Sequence, residues 1–155
     1  MNCVSRPLTM FAAAALLALA SSAGSAIAAS PKEEANRKVV LDFYEKGLNQ
    51  KDADAAIALM GDRYVQHNPN AADGPEGFRK FIGFLKEKFP NSKSEIKRSF
   101  VDGDYVILHV HAVREPGTRG TAIVDIFKLE GGKIVEHWDV AQPIPENPAN
   151  NNGMF

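Results

Sequence analysis

The chain holds one cysteine in 155 residues, Cys3, and it sits ahead of the apolar run that opens the sequence. Everything after that run therefore lacks a thiol. A disulfide framework, a thiolate metal site and a cysteine nucleophile are all excluded there. An excess of one charge is missing too: 18 Lys and Arg stand against 19 Asp and Glu, for a formal net charge of −1. No basic stripe exists to hold nucleic acid or an anionic membrane surface. The longest apolar run, Leu8 to Ala20, has 13 residues, too short for a membrane span. Internal repeats and a helical HExxH are also absent.

What is present begins with a leader. Arg6 supplies a basic n-region, the 13-residue run an apolar h-region, and Ala26-Ile27-Ala28 an A-x-A cleavage site. A secretory signal peptide over residues 1–28 is expected, with export to the periplasm or the outside of a bacterial cell. Removing 28 of the 155 residues leaves 127, and losing Arg6 leaves 17 basic residues against 19 acidic. That length suits one domain with one sizeable core, residues 29–145, followed by a Pro- and Asn-rich tail, 146–155.

Three helices come first. Val39, Val40, Phe43, Tyr44 and Leu48 recur at helical spacing within Pro31 to Asn49. Asp52 to Met60 opens on a capping Asp, and Gly74 to Phe89 carries the stripe Phe78, Phe81, Ile82, Leu85. Tyr64 to Pro69 reads as an extended loop. From Ser92 the pattern turns to alternation, with strands expected at 94–101, 104–114, 120–130 and 133–143. Helices followed by a meander give an α+β order with a cavity between the two layers.

The hairpin from Gly120 to Pro143 carries the unusual residues. Thr121, Ile123, Asp125, Phe127 and Leu129 share a face, so a carboxylate interrupts an apolar row. On the second strand Val135, His137, Asp139 and Ala141 share one face, and Ile134, Glu136, Trp138 and Val140 the other. A two-residue turn at Gly131-Gly132 pairs Asp125 with Trp138. A three-residue bulged turn pairs it with His137 and brings His137 and Asp139 to its face. The turn residues alone leave both forms open.

YVQHNP (64–69) with Ala72 to Gly74, VDGDYVILHVH (101–111) and VDIFKLEGGKIVEHWDV (124–140) resemble the SnoaL-like branch of the nuclear-transport-factor-2-like superfamily, which includes polyketide cyclases and ketosteroid isomerase. The resemblance implies a cone-shaped α+β barrel: three N-terminal helices wrapped by a strongly curved antiparallel sheet of about four to six strands, usually as a homodimer. It implies that Asp125 falls where ketosteroid isomerase keeps a protonated aspartic acid; that enzyme is the standard example of a carboxyl kept neutral by an apolar surround. His67, with Asn68 as the alternative one residue on, falls near the general-base aspartate. Asp139 falls where the cyclases have their catalytic Asp, and Asp125 near the position of their histidine partner. The resemblance thereby puts Asp139 in the pocket, so the bulged turn is the expectation.

The catalytic candidates are therefore His67, Asp125 and Asp139, with Tyr64, His109, Phe127, His137 and Trp138 as candidate pocket walls. A His–Asp pair in an apolar cavity can take a proton alpha to a carbonyl and return it elsewhere without a cofactor. The expected ligand is a small apolar carbonyl compound. The plainer roles are a loop histidine, a structural buried carboxylate and an exposed strand position, and a non-catalytic periplasmic binding module remains the alternative on the same fold. The HxH spacing of His109 and His111 is the one pattern that suits a metal, with His67 or Asp125 to complete it; the expectation is no metal.

Overall fold

The computed structural model describes residue 1 and residues 28–155, so the expected leader and Cys3 lie outside the described residues. Ser30 starts helix α1 (Pro31–Tyr44) through a reciprocal cap. Its Oγ accepts the Glu33 N–H at 3.3 Å, and Glu33 Oε2 accepts the Ser30 N–H at 2.7 Å. The other oxygen of Glu33 accepts the Gly103 N–H at 3.0 Å, which ties the helix start to a strand turn. The helix then widens into a π-type turn, Glu45–Asn49. Gly47 is required there, because a Cβ would stand 2.7 Å from the Phe78 ring. Helix α2 (Ala53–Ile57) is capped by the Asp52 carboxylate, and α3 (Gly74–Lys88) buries Phe78, Ile82 and Leu85.

Five strands follow as β1 (Met60–Gln66), β2 (Lys93–Asp102), β3 (Tyr105–Val113), β4 (Thr121–Glu130) and β5 (Lys133–Pro143). They form one sheet in the order β1-β5-β4-β3-β2. The last four are antiparallel neighbours at about the places the alternation predicts. β1 differs from expectation in two ways, since it is a strand rather than a loop and runs parallel to β5. Its sequence, MGDRYVQ, buries only Met60 and Tyr64, so an edge strand of this kind has no alternation to read. The sheet is mixed for that reason. Register shifts in β1, β2 and β5 bend it around the helices.

The core lies between helices and sheet. Phe43, Val40, Ile82, Leu108, Phe127 and Ile134 are all but fully buried. Phe43 is the hub, with ring centroids 4.9 Å from Phe78 and 5.7 Å from Phe127. Truncating it to alanine removes contacts to both layers, a change of the kind that costs about 3–5 kcal/mol. Among the described residues no helix is long and apolar enough to cross a membrane.

Candidate functional site

The hairpin register sets the site. Glu130 pairs with Lys133 and Leu129 with Ile134, so the Gly131-Gly132 turn holds two residues. The extra residue lies in the strand: Ile134 and Val135 are both buried, and pairing resumes at Lys128 with Glu136. Asp125 then pairs with Asp139, and Phe127 with His137. The expected partner, His137, is thus two places out, because the bulge sits in β5 and not in the turn. The side-chain face is the one expected, since a two-place shift leaves every face unchanged. Asp125, His137, Asp139 and Phe127 all line a cavity of about 650 Å³, as does Tyr64. That volume suits a small organic ligand.

Three of the named candidates lie elsewhere. His67, Trp138 and His109 are on the outer face of the sheet. Leu108 is the β3 partner of Asp125, so His109, one residue on, points the other way. It meets the Phe155 ring at 5.1 Å, as His111 does at 4.9 Å. Trp138 pairs with Ile126 on that outer face, and the His67 ring stacks on it at 4.4 Å with the planes 3° apart. β1 extends one residue past its strand end through the His67 N–H, which donates to the His137 carbonyl at 2.9 Å. Alternation then turns His67 outward and Gln66 and Asn68 inward. Asn68, the alternative by one residue, is the one that lines the cavity.

Inside, the polar side chains form a connected network. Asp125 Oδ2 accepts the Tyr44 hydroxyl at 3.0 Å, and its Oδ1 stands 2.9 Å from His137 Nε2. His137 Nδ1 is 2.9 Å from Gln66 Oε1, and that same oxygen accepts the Asn68 N–H at 3.0 Å. The amide orientation is fixed by the backbone donor, so Nδ1 must bring its own proton to Gln66. A second proton must then lie between Nε2 and the Asp125 carboxyl, because neither atom has another donor to satisfy it. The pair holds one transferable proton. Beside it, the Asn68 Nδ2 donates to both oxygens of Asp139 at 2.8 Å.

Burial explains the rest of the electrostatics. Asp125 is 4 % and His137 8 % exposed, with Phe127 and Tyr64 against the imidazole at 4.7 and 6.5 Å. Burial first, and the Asp125 charge second, push the Tyr44 phenol well above its ordinary range; the same two causes push Tyr64 up. Both phenols therefore stay protonated donors. Gln66 Nε2 points at the Tyr64 hydroxyl from 3.5 Å, the limit of a hydrogen bond, which leaves the Tyr64 proton free for something in the cavity.

Asp125, His137 and Asp139 offer ligand atoms within 4.8 Å of one another, close enough for one metal ion. Each of those side chains already has hydrogen-bond partners, so an ion would have to displace the shared proton and the Asn68 amide. Gln66 and Tyr44 were missed as site residues, and Asn68 was named only as the alternative to His67. Tyr44 reads as one more member of a helix's apolar stripe, and only the fold brings it to a residue 81 positions away.

A curved sheet closed by helices over an apolar cavity, with carboxylates at its centre, defines the cone-shaped α+β class of small-ligand domain. The chain belongs to the SnoaL-like domain family, whose signature matches residues 40–137. Among solved structures, a protein described as a SnoaL-like polyketide cyclase from Jannaschia sp. CCS1 is 23 % identical, with a TM-score of 0.60 over 73 % of this chain and 89 % of that one. One described as a polyketide cyclase from Bacillus cereus is 21 % identical, with a TM-score of 0.61 over 73 % and 78 %. An NTF2-like protein of unknown function from Mesorhizobium loti is 17 % identical, with a TM-score of 0.61 over 74 % and 96 %. These likenesses establish the fold. No curated protein matches this chain at a significant level.

Proposed function

We propose that this domain is a cofactor-independent acid/base catalyst acting on a small, largely apolar carbonyl compound, exported from the cell by its leader. The observation that carries the reading is the Tyr44–Asp125–His137–Gln66 chain, with Asp139 directly opposite, inside an apolar cavity. Asp139 is the base: its carboxylate takes the proton alpha to the carbonyl, and the electron pair moves to the carbonyl oxygen. Tyr64 and the shared Asp125–His137 proton supply hydrogen bonds to that oxygen as charge gathers there. Return of the proton to a different carbon gives isomerisation. Attack of the enolate carbon on a second carbonyl of the same molecule gives an aldol closure, with the new alkoxide protonated by the site.

A second reading has its own support. Both Asp139 oxygens and both His137 nitrogens are already hydrogen-bonded, as they would be in a cavity built only to bind. The test separates the two. A panel of β-keto esters, diketones and unsaturated ketones is screened for turnover with the wild type and with Asp139→Asn. We expect a loss of about 10²–10⁴ in rate with the fold intact by circular dichroism. Turnover unchanged in Asp139→Asn and in Asp125→Asn defeats the catalytic reading, and binding without turnover favours the binding module.

We also propose a homodimer formed through the outer sheet face. Tyr105, Val124 and Val140 are exposed there, the last by 75 %. The tail is partly employed already, because Phe155 packs back over His109 and His111 of its own chain. A monomeric mass by light scattering at micromolar concentration would rule the dimer out.

A further inference from the structure

The side chains at the centre of the cavity carry a charge imbalance that the fold does not correct. Asp125 and Asp139 are direct cross-strand neighbours, and His137 lies two residues before Asp139 on the same face. Neither carboxylate has a lysine or arginine ion-pair partner among the described residues. One shared proton against two carboxylates leaves a net negative charge in an apolar surround. A divalent cation in place of that proton neutralises it.

The hydrogen bonds around the three groups suit such an exchange. Gln66 Oε1 takes the Nδ1 proton of His137, so the Nε2 lone pair faces Asp125 once the shared proton is gone. Imidazole ligands of metal ions are held in this way, with an oxygen acceptor on the far ring nitrogen. Each carboxylate has an outer partner as well, the Tyr44 hydroxyl on Asp125 Oδ2 and the Asn68 amide on Asp139. Asn68 can keep one Asp139 oxygen while the other turns to an ion.

Distances agree. Asp125 Oδ1 and His137 Nε2 stand 2.9 Å apart, and two ligands at right angles on an ion with bonds of about 2.1 Å are about 3.0 Å apart. All three ligand atoms lie within 4.8 Å of one another. Ligands on opposite sides of an ion are about 4.2 Å apart, so a turn of the Asp139 carboxylate by about half an ångström closes the set. Tyr64, 4 % exposed and with its proton free, also lines the cavity and can donate to an oxygen ligand that completes the shell.

We propose that Asp125 Oδ1, His137 Nε2 and one carboxylate oxygen of Asp139 form a site for a divalent first-row transition-metal ion, which enters as the shared proton leaves to water. One imidazole and two carboxylates, with no sulfur, suit the ions from Mn²⁺ to Zn²⁺. With the ion bound, Asp139 and the shared proton are no longer available for proton transfer. That consequence rests on the acid/base reading above, whereas the site itself does not.

Co²⁺ alone is the probe, titrated by calorimetry into the untagged full chain carrying Cys3→Ser, which removes its one thiol. One ion per chain is expected. Asp139→Asn, which keeps the size of the side chain, should weaken binding by at least about tenfold, and His109→Ala/His111→Ala on the outer face should leave it unchanged. A second measurement needs no cavity variant: Co²⁺ is paramagnetic and should broaden the Asn68 side-chain amide signals before those of His109 and His111. No binding at millimolar Co²⁺, equal binding by Asp139→Asn, or broadening centred on His109 and His111 overturns the site. Each of those results leaves the acid/base reading standing, since that chemistry needs only the proton.

Discussion

Two histidine–carboxylate pairs lie on opposite faces of the same hairpin, joined through the backbone bond from His67 to the His137 carbonyl. Inside, His137 and Asp125 meet at 2.9 Å with side chains 10 % and 6 % exposed. Outside, His67 and Glu136 meet at 3.3 Å with side chains 38 % and 16 % exposed. The outer carboxylate is shared with Lys128 at 3.1 Å and Arg63 at 3.6 Å, so cations and water already screen it. The inner carboxylate meets no lysine or arginine among the described residues, and its remaining oxygen is satisfied by the Tyr44 phenol. The residue types are alike and the consequences differ. A pair in water does little for stability or chemistry, whereas a desolvated pair with every partner specified is costly to break.

Breaking the inner pair should have the largest effect. Asp125→Ala leaves His137 Nε2 and the Tyr44 hydroxyl without an acceptor, and we expect a loss of about 3–5 kcal/mol by urea denaturation. Glu136→Ala on the outer face should cost under about 1 kcal/mol. Equal costs would remove the distinction between the faces. Next is Gln66→Ala, which strips the partner from His137 Nδ1 and from the Asn68 N–H. The expected loss is about 1–3 kcal/mol, with a weakened rate on any substrate the screen finds.

Tyr44→Phe is smaller, about 1 kcal/mol at neutral pH, but it has a signature in alkali. The fold raises the Tyr44 phenol above its ordinary value of 10.0, first by burial and then through the Asp125 charge. The folded protein therefore holds this proton more tightly than the unfolded chain does. Stability from it is intact below pH 10 and is lost as pH rises beyond. The wild type should lose stability above pH 10 more steeply than Tyr44→Phe, measured by chemical denaturation at stepped pH. Parallel curves would mean that the phenol is not held as the inner network requires.

The two faces also mark where the sequence is readable. Alternation in β3, β4 and β5 is a strong signal: it puts Asp125 with Phe127 and His137 with Asp139, but which β5 face joins Asp125 depended on the hairpin register, and the resemblance chose it. It fails at β1, where one buried tyrosine in seven mostly polar residues gives no period and a parallel partner is about seventy positions away. That failure hid which way His67 faces, because the facing of a loop histidine cannot be read until its strand is known. The resemblance carried the right segment and an uncertain offset, and a slip of one residue in a strand is a change of face. Tyr44 and Gln66 were hidden for another reason: their roles depend on contacts across 81 and 71 positions, which no local pattern encodes.

The smallest expected effect is the most pointed test of the comparison. His67→Ala removes the stack on Trp138 and an exposed pair with Glu136, interactions together worth about 1 kcal/mol. It leaves the backbone bond to His137 in place and touches nothing in the cavity. The urea midpoint should move slightly, and the rate on a substrate should match the wild type. His67, with Asn68 as the alternative, is the residue that the resemblance puts near the general base. If its alanine variant lost turnover while Asp139→Asn kept it, the working histidine would be on the outer face and the cavity would be a bystander. An unchanged rate in His67→Ala, set against a lost one in Asp139→Asn, puts the chemistry on the inner face of the hairpin.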